Sequence, residues 1–310
     1  MSIVNNMPIE PPVEQESFMQ GLLVPQLTAF DKNNNVDYVA TVEHGQWLLS
    51  NGVSGLVPFG TFGEGASLSL RERMKITEDL ASISKNTFLV PAVISNSLGE
   101  IWEYLDFLKD IPVEAVMITP PNYFKPIDNQ SMIDFYKAVA SRTNHKIVAY
   151  NIPSCSLKIE TEVAKEIPIW GVKDSSGDIN SAINYLENGV RVLLGSDILL
   201  VKGIAAGASG GICGLANFFP KQMLRVYSLA MSGDIEAAEV LIRETVGLFD
   251  HVLKPNFAPV VAIGCLKNVA ATIIPTKVGK MRLPCPTWQP SEKELADLAQ
   301  AVLNYQALHN

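Results

Sequence analysis

The chain is 310 residues long, 47% hydrophobic, and carries 32 acidic against 24 basic side chains, for a net charge of −8. That length allows a large buried core, as one α/β barrel or two ordinary domains. The acidic balance leaves no broad basic surface to neutralise a nucleic-acid backbone or dock on anionic lipid.

Residues 1–17, MSIVNNMPIEPPVEQES, are acidic and proline-bearing, lack the charged and apolar regions of a signal peptide, and read as a mobile tail. Eight short apolar runs then alternate with helical stretches: 22–30, 55–60, 88–94, 115–120, 146–153, 169–173, 191–197 and 210–217. The runs are continuous rather than alternating, as expected of parallel strands covered on both faces. Between them, 37–51 stops at Asn51-Gly52, and 69–85 opens on Ser69-Leu-Arg-Glu72, the pattern of a capping box. Eight strand-then-helix units predict a TIM (β/α)8 barrel over 18–225. An open doubly wound sheet is the rival, but no Gly-x-Gly-x-x-Gly follows the first run. The remainder, 226–310, reads as a helical extension packed on the barrel. The glycine-interrupted segment 203–219 is too short and broken for a membrane span.

Cys155, Cys213, Cys265 and Cys285 stand far apart without a Cys-x-x-Cys pair, which points to a reducing, cytoplasmic setting. His44, His145, His251 and His309 show no metal-ligand spacing, so no metal is expected.

In a barrel, residues at the C-terminal ends of the strands line the active site. Lys173 ends the sixth run, Tyr150 lies in the fifth, and Thr61 follows the second. A lysine held there among apolar neighbours is disfavoured as the ammonium and favoured as the free amine that attacks a carbonyl. A lone strand-end lysine more often reaches solvent or pairs with its neighbour, here Asp174, but the company of Tyr150 and Thr61 favours the nucleophile. A phenol beside it supplies an acid/base. The glycine-rich turn FGTFGEGASLSL, 59–70, offers backbone N–H groups and the Thr61 hydroxyl to an anion such as a carboxylate. Glu64, next to a helix start, reads as structural. Asp197, from the residues alone, reads as a cap on the following helix.

The segments GTFGE (60–64), TPPNYFKP (119–126), YNIPS (150–154), GVKDSSGD (171–178), LLGSD (193–197) and MRLPCP (281–286), in that order, resemble the dihydrodipicolinate synthase/N-acetylneuraminate lyase superfamily of class I pyruvate aldolases. The resemblance implies an imine between Lys173 and a 2-keto acid such as pyruvate, Tyr150 as acid/base, and a carboxylate held by Thr61 and the backbone around Phe62. It implies that Tyr123 reaches into a neighbouring subunit of a homotetramer built from dimers, although Asn122 replaces the first tyrosine of the family's pair. It places Asp197 near substrate hydroxyls and the segment around Ile212 beside the substrate, with no cofactor. Two departures bear on the substrate. Phe62 stands where the synthases have a second threonine assigned to the proton relay, and Cys155 stands where they carry an arginine that grips a dicarboxylate. A neutral thiol cannot replace a bidentate guanidinium. The expected activity is therefore reversible cleavage of a 2-keto-3-deoxy sugar acid or related 4-hydroxy-2-oxo acid to pyruvate and an aldehyde. Dehydration of a keto-deoxy sugar acid, dihydrodipicolinate synthesis and a non-catalytic keto-acid-binding barrel are the alternatives.

Overall fold

A computed structural model describes residues 19–253, 259–285 and 289–309, so the expected tail at 1–17 lies outside the described residues. Each apolar run overlaps a parallel strand: Gly21–Val24 (β1), Gly55–Leu56 (β2), Phe88–Leu89 with Ala92–Val93 (β3 and β4), Ala115–Ile118 (β5), Lys146–Asn151 (β6), Gly171–Asp174 (β7), Val192–Leu194 (β8) and Gly210–Ile212 (β9). The third run is split because Pro91 has no N–H to give to a ladder. Neighbours follow the order β3-β2-β1-β9-β8-β7-β6-β5-β4. The two ends of that order are halves of one run, so the sheet closes on itself as an eight-stranded barrel. Hydrogen bonds carry the ladder past the break: Val90 N–H donates to Leu56 O at 2.9 Å, and Met117 N–H donates to Pro91 O at 3.0 Å. Strands β1, β5 and β7 are buried at every position, which is why they show no alternation.

Five of the eight helices that cover the barrel start at a side-chain cap supplied by the sequence. The eight are Tyr38–Ser50 (α1), Leu70–Ile83 (α2), Leu98–Leu108 (α3), Asn129–Ala140 (α4), Thr161–Glu166 (α5), Ile179–Glu187 (α6), Leu200–Ala205 (α7) and Pro220–Met231 (α8). Asp37 caps α1 by accepting from Ala40 N–H at 3.0 Å. At α2 the capping box forms: Glu72 N–H donates to Ser69 Oγ at 3.3 Å, and Ser69 N–H donates to Glu72 Oε2 at 2.8 Å. Such caps are each worth about 1 kcal/mol. The eighth barrel helix is α8, so the expected boundary at residue 225 falls inside it.

Beyond α8, Ile235–Gly247 (α9), Pro259–Ile273 (α10) and Glu292–His309 (α11) form the helical extension. Phe249 joins it to the barrel, its ring 5.7 Å from that of Phe218 and 5.9 Å from that of Phe219. Thr245 Oγ1 and Tyr305 Oη share a 2.6 Å hydrogen bond between α9 and α11. A fully buried ion pair, Lys267 Nζ to Glu64 Oε1 at 2.5 Å, ties α10 to the turn after β2. This docking brings α10 over the barrel mouth. No described helix is long and apolar enough to cross a membrane.

Candidate active site

Strand pairing decides the centre of the site. In the β6–β7 ladder Tyr150 stands opposite Lys173, and Asn151 opposite Asp174. Residues paired in a parallel ladder point to the same face, and their successors to the other. Lys173 is 3% exposed and its Nζ lies 4.0 Å from the centre of the Tyr150 ring. Asp174 turns away, accepting from Asn151 Nδ2 at 2.6 Å and Ser176 Oγ at 2.9 Å. Burial pushes its carboxyl above the usual range, against the pull of those donors. The Lys173–Asp174 pairing considered from the sequence is thus replaced by a network bracing the tops of the two strands.

The hydroxyl of Tyr150 shares a 3.1 Å hydrogen bond with Thr61 Oγ1. Thr61 is held by the turn after β2. Glu64 sits there at φ 54, in the left-handed region that non-glycine residues seldom occupy, and its buried pairing with Lys267 pins it. Arg282 N–H donates to its other oxygen at 2.7 Å. Glu64 is structural, as expected. The departure at Phe62 leaves the hydroxyl pair intact, because Thr61, and not the next position, bonds Tyr150.

Thr61, Phe62, Tyr150, Cys155, Lys173 and Ile212 line one cavity of about 200 Å3 at the C-terminal ends of the strands. Six of the eight expected residues therefore come together. The other two lie elsewhere. Tyr123 is 80% exposed in the loop after β5, its ring edge-on to Phe124 at 5.3 Å, and it does not line this cavity. Asp197 accepts from Leu215 N–H at 2.9 Å, bracing the turn after β9 rather than capping a helix of its own. Burial pushes its carboxyl up to about 6, with backbone donors and Lys173 opposing. Cys213 is buried, and its thiol is pushed up by burial first and by Asp197 second, so it is no nucleophile.

Several wall residues were not singled out in the sequence. Ser175 is two positions beyond Lys173, hence on its face of the strand, and its buried Oγ has no hydrogen-bond partner among the described residues. Gly195 makes room for both: a Cβ there would lie 1.9 Å from Ser175 Oγ and 3.0 Å from Lys173 Cε. Val260 and Ile263, three apart on one face of α10, close part of the mouth. The strand-to-α10 contact is long-range and leaves no local signal. Behind the wall, Asn217 Nδ2 donates to Pro25 O at 3.0 Å and Gly214 O at 3.1 Å, clamping two cavity residues. Its Oδ1 lies 3.0 Å from Nε2 of His44, whose pKa burial lowers to about 4, so the imidazole is neutral and donates. Among the described residues no group of three or more His, Cys, Asp or Glu converges as a metal site requires.

Comparison with known proteins places the chain in a family. The chain is 30% identical over 292 residues to 4-hydroxy-tetrahydrodipicolinate synthase of Methanosarcina barkeri, covering 90% of this chain and 96% of that one. It is 33% identical over 200 residues, 62% of this chain and 74% of the other, to 2-dehydro-3-deoxy-D-gluconate/2-dehydro-3-deoxy-phosphogluconate aldolase of Picrophilus torridus. Its fold superposes on a variant of Sulfolobus solfataricus 2-keto-3-deoxygluconate aldolase with a TM-score of 0.82 at 22% identity, covering 93% of this chain and 97% of that one. The model of the dihydrodipicolinate synthetase family matches residues 18–302, and the chain belongs to that family.

Proposed function

We propose that the protein is a class I lyase that cleaves a 4-hydroxy-2-oxo acid, a 2-keto-3-deoxy sugar acid or a related compound, reversibly to pyruvate and an aldehyde. One observation carries the reading: a buried lysine 4.0 Å from the ring of a tyrosine whose hydroxyl is bonded to a threonine, all in one cavity at the strand ends. The Lys173 amine attacks C2 of the substrate and water leaves, giving an iminium. Tyr150 takes the proton of the C4 hydroxyl, the C3–C4 bond breaks with its electron pair flowing into the iminium, and the aldehyde departs. The enamine that remains is protonated at C3, and water releases pyruvate and the free amine. The iminium is the electron sink, so the chemistry needs no cofactor. Thr61 orients the Tyr150 hydroxyl, and the N–H groups of the glycine-rich turn suit the substrate carboxylate.

The Methanosarcina barkeri relative favours dihydrodipicolinate synthesis as a second reading. Cys155 on the cavity wall argues against it, since a neutral thiol does not hold a second carboxylate. The exposed pair Tyr123 and Phe124 suits burial against a second copy in a homotetramer, and four free cysteines suit a cytoplasmic setting.

The test is intact mass after incubation with pyruvate and borohydride. A reduced-pyruvate adduct is expected on the wild type and not on Lys173→Ala. No adduct on the wild type rejects the imine and leaves a keto-acid-binding barrel.

A further inference from the structure

The barrel closes where its first and last strands meet, and the ladder along that seam ends at the cavity. Leu23 of β1 pairs with Ile212 of β9, and Cys213 N–H donates to Leu23 O at 3.1 Å. A parallel ladder bonds every second residue of a strand, so Pro25 is next in register. Pro25 has no N–H to give, and Leu215 N–H, which that register would bring to Pro25 O, donates to Asp197 instead.

The carboxamide of Asn217 takes over the missing rung. Its Nδ2 donates to Pro25 O at 3.0 Å and Gly214 O at 3.1 Å, and its Oδ1 accepts from Leu27 N–H at 3.2 Å. His44 Nε2 donates to the same oxygen at 3.0 Å, while His44 Nδ1 lies 2.8 Å from the Thr276 hydroxyl. Both donors and both lone pairs of this buried amide are used. Turned over, it would face two carbonyls with its oxygen and the Leu27 N–H with its own donors, so its orientation is fixed.

Two contacts carry the seam to the reacting groups. Thr28, on the segment leaving β1, donates its hydroxyl to Gly63 O at 2.7 Å, inside the turn that presents Thr61 and Phe62. On the other side, the Phe62 ring lies where a Cβ on Gly214 would stand, so it rests on that backbone. Pro25, Gly214, Thr61 and Phe62 line the cavity, whereas Asn217 and His44 stand behind it.

We propose that Asn217, oriented by His44, is a positioning residue for the reaction: by stitching the barrel seam at Pro25 it sets the turn that holds Thr61 against Tyr150. This rests on the Schiff-base reading above. A displacement of about 1 Å at reacting groups costs about 100-fold in rate.

The test follows pyruvate alone in D2O with the purified full chain. Pyruvate loses water in forming the iminium on Lys173, and C3 then gives up a proton to leave the enamine. Return of a deuteron and hydrolysis release deuterated pyruvate, read by mass spectrometry. Asn217→Ala should lower kcat for this exchange by about 100-fold while KM changes by less than about threefold. His44→Leu should lower kcat by about tenfold. His44→Gln, whose amide can donate to Asn217 Oδ1 and accept from Thr276, should restore most of it. A purely stabilising role would lower Tm without that split between kcat and KM and without the rescue. Unchanged kcat in the variants, a loss confined to KM, or His44→Gln as slow as His44→Leu overturns the assignment; if Asn217→Ala does not fold, the His44 pair decides. Borohydride trapping of pyruvate on the wild type separates the two readings. An adduct without exchange, or with exchange that the variants leave unchanged, rejects only the positioning role. The absence of an adduct rejects the imine reading and this inference with it.

Discussion

Replacing Lys267 by Met tests how the turn that carries Thr61 is held. Lys267 Nζ reaches Glu64 Oε1 at 2.5 Å and Thr28 O at 2.6 Å, with both charged side chains fully buried. Burial pushes the Glu64 carboxyl up and the Lys267 ammonium down, and their mutual attraction opposes both shifts. Met leaves the Glu64 carboxylate, among the described residues, with the Arg282 N–H as its one donor and leaves the Thr28 carbonyl without its ammonium donor. Breaking a buried pair on one side costs about 3–5 kcal/mol, which lowers Tm by about 6–20 °C at roughly 2–4 °C per kcal/mol for a large domain. Because Glu64 is three residues from Thr61, kcat/KM for the lyase reaction falls too. Glu64→Gln keeps an acceptor for Arg282 without a charge, so Lys267→Met in that background costs only about 1 kcal/mol. A pH series adds a sign. In the Met variant, Glu64 has its folded pKa raised above the unfolded one, so its contribution is present at low pH and lost as pH rises; the Tm deficit is smaller at pH 5 than at pH 8. The assay is thermal denaturation of the four members of the cycle alongside turnover. Additive effects, or a single-variant shift under about 2 °C, would refute the claim that this pair pins the turn.

Two other outcomes follow from the site. Tyr150→Phe removes the hydroxyl bonded to Thr61 and should lower kcat by about 100- to 10,000-fold, while prolonged incubation with pyruvate and borohydride still labels Lys173; complete loss of labelling would give Tyr150 a different role. Asp197, with its carboxyl raised to about 6 from 3.8, contributes stability that is present below the lower value and lost as pH rises through the upper one. The Tm of the wild type minus that of Asp197→Asn should therefore decrease between pH 4 and pH 7, and a pH-independent difference would show that the carboxyl does not titrate there.

Much of this protein can be read from local sequence because the forces involved are local. Continuous apolar runs mark strands buried on both faces, Ser69 and Glu72 satisfy their own helix start, and a lysine closing an apolar run lies at a strand end whatever the rest of the chain does. Lys173, Tyr150 and Thr61 were legible for that reason, and the order of the motifs made the family legible as well. Ser175 was open to the same period-of-two argument that places Lys173, and only its missing partner in the structure marks it out.

What remained depends on contacts between distant residues. Whether Tyr150 stands beside Lys173 is a matter of ladder register, and whether Asp174 pairs with Lys173 depends on Asn151, across the strand. Glu64 finds Lys267 203 residues away, and Asp197 finds the Leu215 N–H on another loop. Val260 and Ile263 enter the site only because α10 docks over the mouth. The sequence by itself determined the barrel, many of its caps and the strand-end position of Lys173, since strand burial and helix starts are set by neighbours along the chain. The tertiary structure alone decided which side chains share the cavity, since that arises only when separate elements pack together.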